Sequence, residues 1–410
     1  MVKSANVNPA KLKHKWDFKL RIKRNVFSWK SSSPAIARLK QALTEIKKVA
    51  KTNHVLAAEG AIELIERLSP ALEHVDSSSG ALGSAVNYTI AELVPIISTA
   101  QVDDKTRDAW LERLFAAHKA DGIPYVECLT DYWGELCASK DVASVWADKL
   151  VGITRMALSP DKSLRGHFHG TTACLSALFY VERYTELFGV LKHETFWPYK
   201  HWEVKALVAM GKKSEAIRCA ESCRGRHGGT FNIDFVCEEI LISSGMLDEA
   251  YSRYAMRANQ RGTYLATFRA VSQKYPHKSA TEILSDLVKT TPGEEGKWFA
   301  AAKDAGLYDK AIALARSTPC NPMTLARAAR DFAQKQPTFA VEAGLLAIHW
   351  LVQGYGYEVT AADVYEAQRA TVVAAEQQGN VDEAKRRISE TVAAGGSGAK
   401  FVAKTLGSII

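Results

Sequence analysis

A phrase that occurs twice in the middle of the chain decides the fold: Lys205-Ala-Leu-Val-Ala-Met-Gly-Lys-Lys-Ser-Glu-Ala-Ile-Arg-Cys219 and Glu238-Glu-Ile-Leu-Ile-Ser-Ser-Gly-Met-Leu-Asp-Glu-Ala250. Each copy contains an apolar helix end, a glycine, a short polar step and a new helix that starts with an acid and an alanine. The glycines, Gly211 and Gly245, are 34 residues apart, which is the period of a tetratricopeptide helix hairpin. The phrase therefore predicts stacked antiparallel helix hairpins.

The same phrase returns twice nearer the C-terminus, around Gly306 and Gly379. In all four copies an alanine follows the glycine by five residues. Glycine ends a helix easily because it adopts the left-handed conformation without a Cβ clash, and the small alanine lets two helices approach closely. The later spacings of 61 and 73 residues are not multiples of 34, so we predict a degenerate helical repeat. The alternative is four unrelated helix–glycine–helix turns.

The rest of the chain also has the spacing of paired helices, so the predicted fold is an all-α α-solenoid of stacked antiparallel hairpins. Residues 31–170 carry helical apolar spacing without the glycine phrase and predict HEAT-like pairs, whereas residues 171–394 predict tetratricopeptide-like repeats. Thr291-Pro-Gly-Glu294 predicts a helix start, with threonine as the cap and proline at the first position. Residues 395–410 predict a flexible Gly/Ser break and a short C-terminal tail.

Residues 1–30 differ from the rest of the chain. Trp16-Asp-Phe-Lys-Leu-Arg-Ile-Lys23 alternates apolar and charged residues, which is the period of a β-strand. A single strand has no sheet to join in a helical protein, so we predict an extended basic arm. The arm would lay one set of side chains on the helices: Trp16, Phe18, Leu20 and Ile22.

Positive charge is concentrated at the N-terminus. Residues 1–50 contain 13 Lys and Arg against two Asp and Glu, a net charge of +11. Residues 51–410 have a net charge of −3. The densest basic group is the predicted nucleic-acid site: Lys19, Arg21, Lys23 and Arg24. Because exposed cations of this kind bind phosphates, DNA or RNA binding through these four residues is the alternative to a solvated arm.

Composition places the chain of 410 residues among ordinary core-forming proteins, with 47% hydrophobic and 24% charged residues. No run of eighteen apolar residues occurs, so we expect no contact with a membrane. The N-terminus is charged where a signal peptide needs an apolar core. The seven cysteines are odd in number and scattered, which favours reduced thiols and a cytoplasmic location.

Two groups of histidine and cysteine have spacings that a metal could use. Cys219, Cys223 and His227 would share one face of a continuous helix, but the Gly-Gly after His227 indicates that the helix has ended, and zinc prefers a tighter cysteine pair. His167 and His169 lie on one side of an extended segment, without an acid or cysteine at ligand spacing before them. We predict no metal and no cofactor at either group, with metal binding as the alternative.

Several phrases spread over nearly the whole chain are specific enough for comparison with a family. They are Phe27-Ser-Trp-Lys30, Ser69-Pro-Ala-Leu-Glu-His-Val-Asp-Ser-Ser-Ser-Gly80, Asp131-Tyr-Trp-Gly-Glu-Leu-Cys137, Leu164-Arg-Gly-His-Phe-His-Gly-Thr-Thr-Ala-Cys174, Tyr264-Leu-Ala-Thr-Phe-Arg269 and Thr291-Pro-Gly-Glu-Glu-Gly-Lys-Trp-Phe-Ala300. In these phrases the chain resembles an uncharacterised bacterial family of tetratricopeptide-like helical-repeat proteins. The resemblance implies a bacterial origin and a helical-repeat fold, and it carries over no activity and no functional residue.

Three classes of function fit these features. A solenoid offers a long concave face, which predicts a non-catalytic scaffold that binds a protein or peptide partner. The second class is a nucleic-acid-binding protein that uses the arm, with Trp16, Phe18, Phe27 and Trp29 available to stack on bases. The third class is an enzyme, and no residue constellation in the chain favours one. The scaffold is therefore the predicted function, with nucleic-acid binding as the alternative.

Overall fold

The computed structural model describes residues 14–225 and 230–407, which form helices joined by turns and loops without any β-strand. The all-α prediction is confirmed for these residues. The chain divides into two compact units, with unit 1 ending at residue 229 and unit 2 beginning at residue 230. The divisions expected from the sequence at residues 30, 170 and 394 stay predictions.

Unit 1 is built from helices that pack on their neighbours in chain order. The helices are α1 Phe18–Arg21, α2 Ser32–Ala50, α3 His54–Leu72, α4 Ala81–Ser98, α5 Asp104–Lys119, α6 Trp133–Leu136, α7 Lys140–Ala157, α8 Thr171–Tyr180, α9 Tyr184–Leu191, α10 Trp197–Ala209 and α11 Lys213–Ser222. A 3₁₀ segment, Glu127–Tyr132, leads into α6. α2 packs on α3 and α4, α3 on α5, α6 on α8, α7 on α8 and α9, and α10 on α8, α9 and α11. Apolar faces are thus buried mainly against the next helix or the next but one.

Polar contacts join alternate helices of unit 1. The contacts connect α3 to α5, α5 to α7 and α7 to α9 at distances of 2.6–2.9 Å: Arg113 with Glu59, Trp146 with Asp108, and Arg155 with Glu186. The side chains of the two ion pairs are between 22% and 54% exposed, so solvent screens these pairs and the direct gain from each is small. These contacts matter more for the alignment of the helices, because each one fixes the position of a helix along the helix two places further on.

Helix α4 is the one helix among the described residues that is long and apolar enough to cross a membrane, with a mean hydropathy of 1.2. Its apolar side chains form one buried face: Leu82, Val86, Ile90, Leu93, Val94 and Ile97. This face packs on α2 and α3, so α4 has the placement of a core helix within unit 1.

Unit 2 is a succession of helix hairpins. Its helices are α12 Thr230–Ile242, α13 Leu247–Ala250, α14 Met256–Ala258, α15 Tyr264–Lys274, α16 Ala280–Lys289, α17 Phe299–Asp304, α18 Tyr308–Ser317, α19 Pro322–Phe332, α20 Pro337–Val352, α21 Ala361–Glu376, α22 Val381–Ala393 and α23 Ala399–Leu406. A π-helical turn, Tyr251–Ala255, joins α13 to α14, and a 3₁₀ turn, Glu295–Trp298, precedes α17. α12 pairs with α13, α15 with α16, α17 with α18, α19 with α20, and α21 with α22.

The glycine phrase marks helix ends in the structure as the sequence predicts. Gly211, Gly245, Gly306 and Gly379 all have a positive φ, between 69° and 77°. At Gly245 the amide donates to the Ile242 carbonyl at 2.9 Å, and the next amide reaches back across the turn to Leu241 at 3.0 Å. The alanines five residues later are all buried: Ala216, Ala250, Ala311 and Ala384. The prediction of left-handed glycine turns followed by buried alanines is therefore confirmed.

The irregular spacings of 61 and 73 residues have a simple cause. Between Gly245 and Gly306 lies another hairpin, α15–α16, which turns at residues 275–279 without glycine. Between Gly306 and Gly379 lies the hairpin α19–α20, which turns at residues 333–336, also without glycine. Helix hairpins follow one another in unit 2, and the glycine phrase marks only part of their turns.

The second helices of the hairpins in unit 2 are joined one to the next by polar contacts. The Tyr251 hydroxyl donates to Asp286 of α16 at 3.0 Å, and the Lys310 ammonium of α18 donates to the Ser285 hydroxyl of α16. Glu342 of α20 then accepts from both neighbouring helices, from Arg316 of α18 at 2.9 Å and Arg387 of α22 at 2.6 Å. The contacts follow chain order from the π-helical turn after α13 to α22.

The prediction of an extended strand-like arm is wrong for residues 18–21, which form the helical turn α1. Phe18 and Ile22 are buried as expected, whereas Leu20 is 68% exposed. The cause lies in α2, where the Glu45 carboxylate accepts from the amides of Asp17 at 2.7 Å and Phe18 at 3.1 Å. An anion that binds the first amides stabilises a helical turn, and the turn moves Leu20 away from the body. Residues 1–13 of the predicted arm lie outside the described residues.

The Gly/Ser segment at residues 395–398 makes defined contacts with the end of α20. The Gly398 amide donates to the Val352 carbonyl at 2.9 Å, and the Ser397 hydroxyl donates to the Gln353 carbonyl at 2.7 Å. A Cβ at Gly398 would lie 2.2 Å from the Leu351 carbonyl oxygen, so glycine is required for this approach. Helix α23 follows, and its residues Val402 and Leu406 are buried.

Candidate functional site

The four residues predicted to bind nucleic acid do not form one uniform surface. Lys19 pairs with Glu63 of α3 at 2.6 Å, and the Arg21 guanidinium donates to the Gln41 amide oxygen of α2 at 3.1 Å. Lys23 and Arg24 follow α1 and are exposed. The helical turn therefore directs two of the four cations to the body of unit 1 and leaves the other two in solvent.

The cysteine group predicted to pack as part of a helix lies at the end of unit 1. The Cys223 thiol is buried and lies 3.6 Å from the Cys219 carbonyl oxygen, and the Cys219 thiol lies 3.6 Å from Glu203. Burial raises the pKa of the Cys219 thiol to about 12, with a further contribution from Glu203. His227 lies outside the described residues. Across residues 14–225 and 230–407, no three His, Cys, Asp or Glu side chains are arranged to hold a metal ion.

The second histidine group belongs to a polar cavity of about 210 Å³ in unit 1, named here the histidine cavity. The end of α5, the loop after it, the 3₁₀ segment, the loop before α8, the start of α8 and the start of α10 supply its lining residues: His118, Asp121, Pro124, Glu127, Thr130, His167, Phe168, His169, Thr172 and Tyr199. The His167 and His169 rings lie 4.6 Å apart, and the His118 and His169 rings lie 5.6 Å apart. Three imidazoles and two carboxylates therefore share one concave site.

His118 is the most buried of the three histidines, with 6% of its surface exposed. Its Nε2 lies 3.0 Å from the backbone oxygen of His169, and a carbonyl oxygen can only accept a hydrogen bond. Nε2 therefore carries the proton in the neutral ring, and Nδ1 keeps a free lone pair. Nδ1 is buried and has no hydrogen-bond partner. Burial is the largest cause that lowers the pKa of His118, so the ring is neutral near pH 7.

The carboxylates of the cavity are not neutralised by cations. Asp121 Oδ2 accepts from the Val126 amide at 2.7 Å, which shapes the loop after α5, while Oδ1 is buried without a partner. Within the part of the chain that the structure describes, no hydrogen bond or ion pair engages the Glu127 carboxylate. Tyr199 also lines the cavity, and its pKa is raised by burial and by the charges of Glu194 and Glu127.

A second polar group in unit 1 contains Asp131, Lys205 and His201. Burial raises the pKa of Asp131, and the charge of Lys205 opposes that rise. Burial lowers the pKa of Lys205, whose ammonium lies 4.1 Å from the centre of the Trp202 ring. Burial, followed by the charge of Lys205, lowers the pKa of His201 to about 4. Protonation of His201 is therefore coupled to folding.

Sequence reasoning selected His167 and His169 but missed the residues that face them. His118 and Asp121 are three residues apart in the sequence, and this spacing was the available signal. Glu127 gave no signal, because it reaches the cavity through the turn at Pro124 and the 3₁₀ segment. The cavity is assembled by tertiary packing.

Comparison with protein-family models and with curated protein sequences finds no match for this chain. The resemblance to bacterial helical-repeat proteins therefore stays a prediction.

Proposed function

We propose that the protein is a non-catalytic scaffold that binds a protein or peptide partner on the concave face of an α-solenoid. The observation that supports this proposal is the chain of polar contacts between second helices of unit 2, from Tyr251 through Glu342 to Arg387. Repeat proteins stack hairpins that contact only their neighbours, and the stack presents an extended surface for partners. In this proposal residues 171–394 are the tetratricopeptide-like part and residues 31–170 are HEAT-like.

The partner surface in this proposal is the first-helix face of unit 2, formed by α12, α15, α17, α19 and α21. Two large side chains on these helices, Phe235 and Tyr365, are each 43% exposed. Arg269 and Arg330 lie on the same set of helices and pair with acids of neighbouring first helices. Aromatic residues and arginine are enriched at protein interfaces, which favours this face over the others.

The test uses the full chain as bait for partners in a bacterial lysate. We expect a defined partner to be retained by the original chain and lost from a Phe235→Asp, Tyr365→Asp variant, because charge would replace the aromatic contacts. The matched control is Tyr357→Asp, at a tyrosine that is 87% exposed and lies outside the helices. Equal retention by all three proteins would place the partner elsewhere, and no retained partner at all would count against the scaffold.

Nucleic-acid binding is the second proposed function, and it is supported by the exposed pair Lys23 and Arg24 and by Trp29, five residues further along the chain, which is 64% exposed. Each phosphate contact contributes about −0.9 to the slope of log affinity against log salt on duplex DNA. The double variant Lys23→Ala, Arg24→Ala should therefore flatten the slope by up to about 2. Lys19→Ala is the control, because Lys19 pairs with Glu63 and should contribute less. The hypothesis fails if the original chain binds neither DNA nor RNA at low salt.

A further inference from the structure

We propose that the outer face of helix α2 is a binding surface for the phosphate backbone of double-stranded nucleic acid. The proposal rests on the nucleic-acid function proposed above and extends its site from the loop after α1 to the neighbouring helix. It starts from the distribution of charge, since residues 1–50 have a net charge of +11 and residues 51–410 a net charge of −3. The fold of unit 1 determines where part of that positive charge is displayed.

Helix α2 presents cations and no carboxylate on its outer face. Its buried side is defined by five apolar residues: Ala35, Leu39, Ala42, Leu43 and Ile46. With about 3.6 residues per turn, the opposite side carries three exposed lysines, Lys40, Lys48 and Lys51. The one acid in α2 is Glu45, and its carboxylate accepts from the amides at the start of α1. Its charge is therefore directed to α1 and away from the three lysines.

The three lysines of the outer face are free to bind an anion. Among the described residues none of them forms an ion pair or a side-chain hydrogen bond. Other lysines of this region do have partners, since Lys47 at the edge of α2 pairs with Glu92, and Lys19 of α1 pairs with Glu63. An unpaired lysine can contact a phosphate without first losing an ion pair. The outer face of α2 is therefore the part of this helix that favours a polyanion.

The outer face of α2 adjoins the exposed cations that follow α1. The Arg21 guanidinium at the end of α1 donates to the Gln41 amide oxygen at 3.1 Å, and the Arg38 guanidinium donates to the Arg21 carbonyl oxygen at 3.1 Å. These contacts hold the end of α1 against α2. Lys23 and Arg24 follow Arg21 by two and three residues and are exposed. Both groups of cations thus lie on adjoining elements of unit 1.

The composition of the outer face fits a duplex backbone better than a single strand or a membrane. Lys40 and Lys51 are 11 residues apart, which is about 16 Å along the helix axis and close to the length of about five base pairs. Single strands are bound by aromatic rings on which bases stack, and membrane-surface helices insert large apolar side chains. No large apolar or aromatic side chain of α2 is exposed. Contacts to phosphates alone predict binding without regard to base sequence.

The experiment is fluorescence anisotropy of labelled DNA duplexes of two unrelated sequences, titrated with the full chain at a series of salt concentrations. We expect the two duplexes to bind equally. The triple variant Lys40→Gln, Lys48→Gln, Lys51→Gln keeps good helix formers and should remain folded by circular dichroism. It should flatten the slope of log affinity against log salt by up to about 2.7, since each phosphate contact contributes about 0.9.

A matched control separates the outer face of α2 from the net charge of the chain. The triple variant Lys385→Gln, Lys400→Gln, Lys404→Gln removes the same charge from exposed positions on α22 and α23 of unit 2. It should keep the slope and the affinity of the original chain. An equal loss in both triple variants would show that only net charge matters, and the assignment to α2 would be overturned.

The remaining outcomes distinguish this inference from the function on which it rests. If the original chain binds no duplex at low salt, the nucleic-acid function and the α2 surface are both refuted. If Lys23→Ala, Arg24→Ala flattens the slope and the α2 variant does not, the function stands and the α2 surface is refuted. Tighter binding to a single strand of the same length, or to phosphatidylserine vesicles, would overturn the choice of a duplex.

Discussion

Ala250 is a small side chain packed between two helices, where a larger side chain would have no room. It lies at the end of α13, five residues after Gly245, and none of its surface is exposed. Ala250→Leu should lower the free energy of unfolding by about 1–3 kcal/mol, since the extra atoms have no space between the helices. Urea unfolding measures the change. Ala313→Leu, at an exposed position in the middle of α18, is the control, and an unchanged midpoint for Ala250→Leu would refute close packing at this hairpin.

Glu182 occupies the left-handed backbone conformation that glycine adopts at the four turns of the glycine phrase. Its φ is 62°, and the amides of Glu182 and Arg183 close the end of α8 by donating to Phe179 and Leu178, both at 3.0 Å. The left-handed conformation costs a residue with a side chain roughly 1–2 kcal/mol, and glycine loses part of this gain through unfolded-chain entropy. Glu182→Gly should therefore raise the free energy of unfolding by up to about 1 kcal/mol. Gly211→Glu should have the opposite sign, and a loss of stability in Glu182→Gly would contradict the strain argument.

At the scale of elements, the Glu238 carboxylate joins three segments of unit 2. It is fully buried on α12 and accepts from Asn259, Lys274 and Tyr275, each at 2.6 Å. Glu238→Leu would leave the Tyr275 hydroxyl without its acceptor and Lys274 with Glu239 alone, and should cost about 1–3 kcal/mol. Thermal and urea unfolding would report the loss.

The neighbouring acid supplies a matched control for this network. Glu239 also pairs with Lys274, but its side chain is 49% exposed. Glu239→Leu should therefore cost less than about 1 kcal/mol. Similar losses in the two variants would show that burial of the Glu238 network does not control the packing of α12.

The helix start predicted at residues 291–294 is not formed in the structure. Thr291-Pro-Gly-Glu294 predicts a capped helix start, but Gly293 has a φ of 86° and α17 begins at Phe299. The Thr291 hydroxyl accepts from the Trp298 indole at 2.8 Å instead of capping a helix there. The predicted helix start does not form there because the free energy gained by burying the Trp298 side chain is larger than that of one helix cap.

At the scale of the whole chain, acid stability should depend on His201. The pKa of His201 is about 4 in the folded protein, below its ordinary value of 6.5. Between these values the unfolded chain binds the additional proton, so the free energy of unfolding falls as the pH is lowered from 6.5 towards 4. The contribution has a slope of up to about 1.4 kcal/mol per pH unit. Urea unfolding at a series of pH values measures it.

His201→Gln removes the titrating imidazole and should reduce the slope of the free energy of unfolding against pH. Part of the slope should remain, because burial also lowers the pKa of His118. His54→Gln, at the exposed first residue of α3, should keep the slope of the original chain. If His201→Gln retained the full slope, the burial of His201 would not be coupled to folding.

By itself the sequence determined the all-α class and the four glycine turns, because helical apolar spacing and a left-handed helix end depend on residues within one or two turns of each other. Only the tertiary structure decided the conformation of residues 18–21, since the Glu45 carboxylate that caps them is 28 residues from Asp17. The same holds for the histidine cavity, where His118, Glu127 and Tyr199 come from separate segments. Such groupings depend on how the helices pack together, so they cannot be predicted from residues that are close in the sequence.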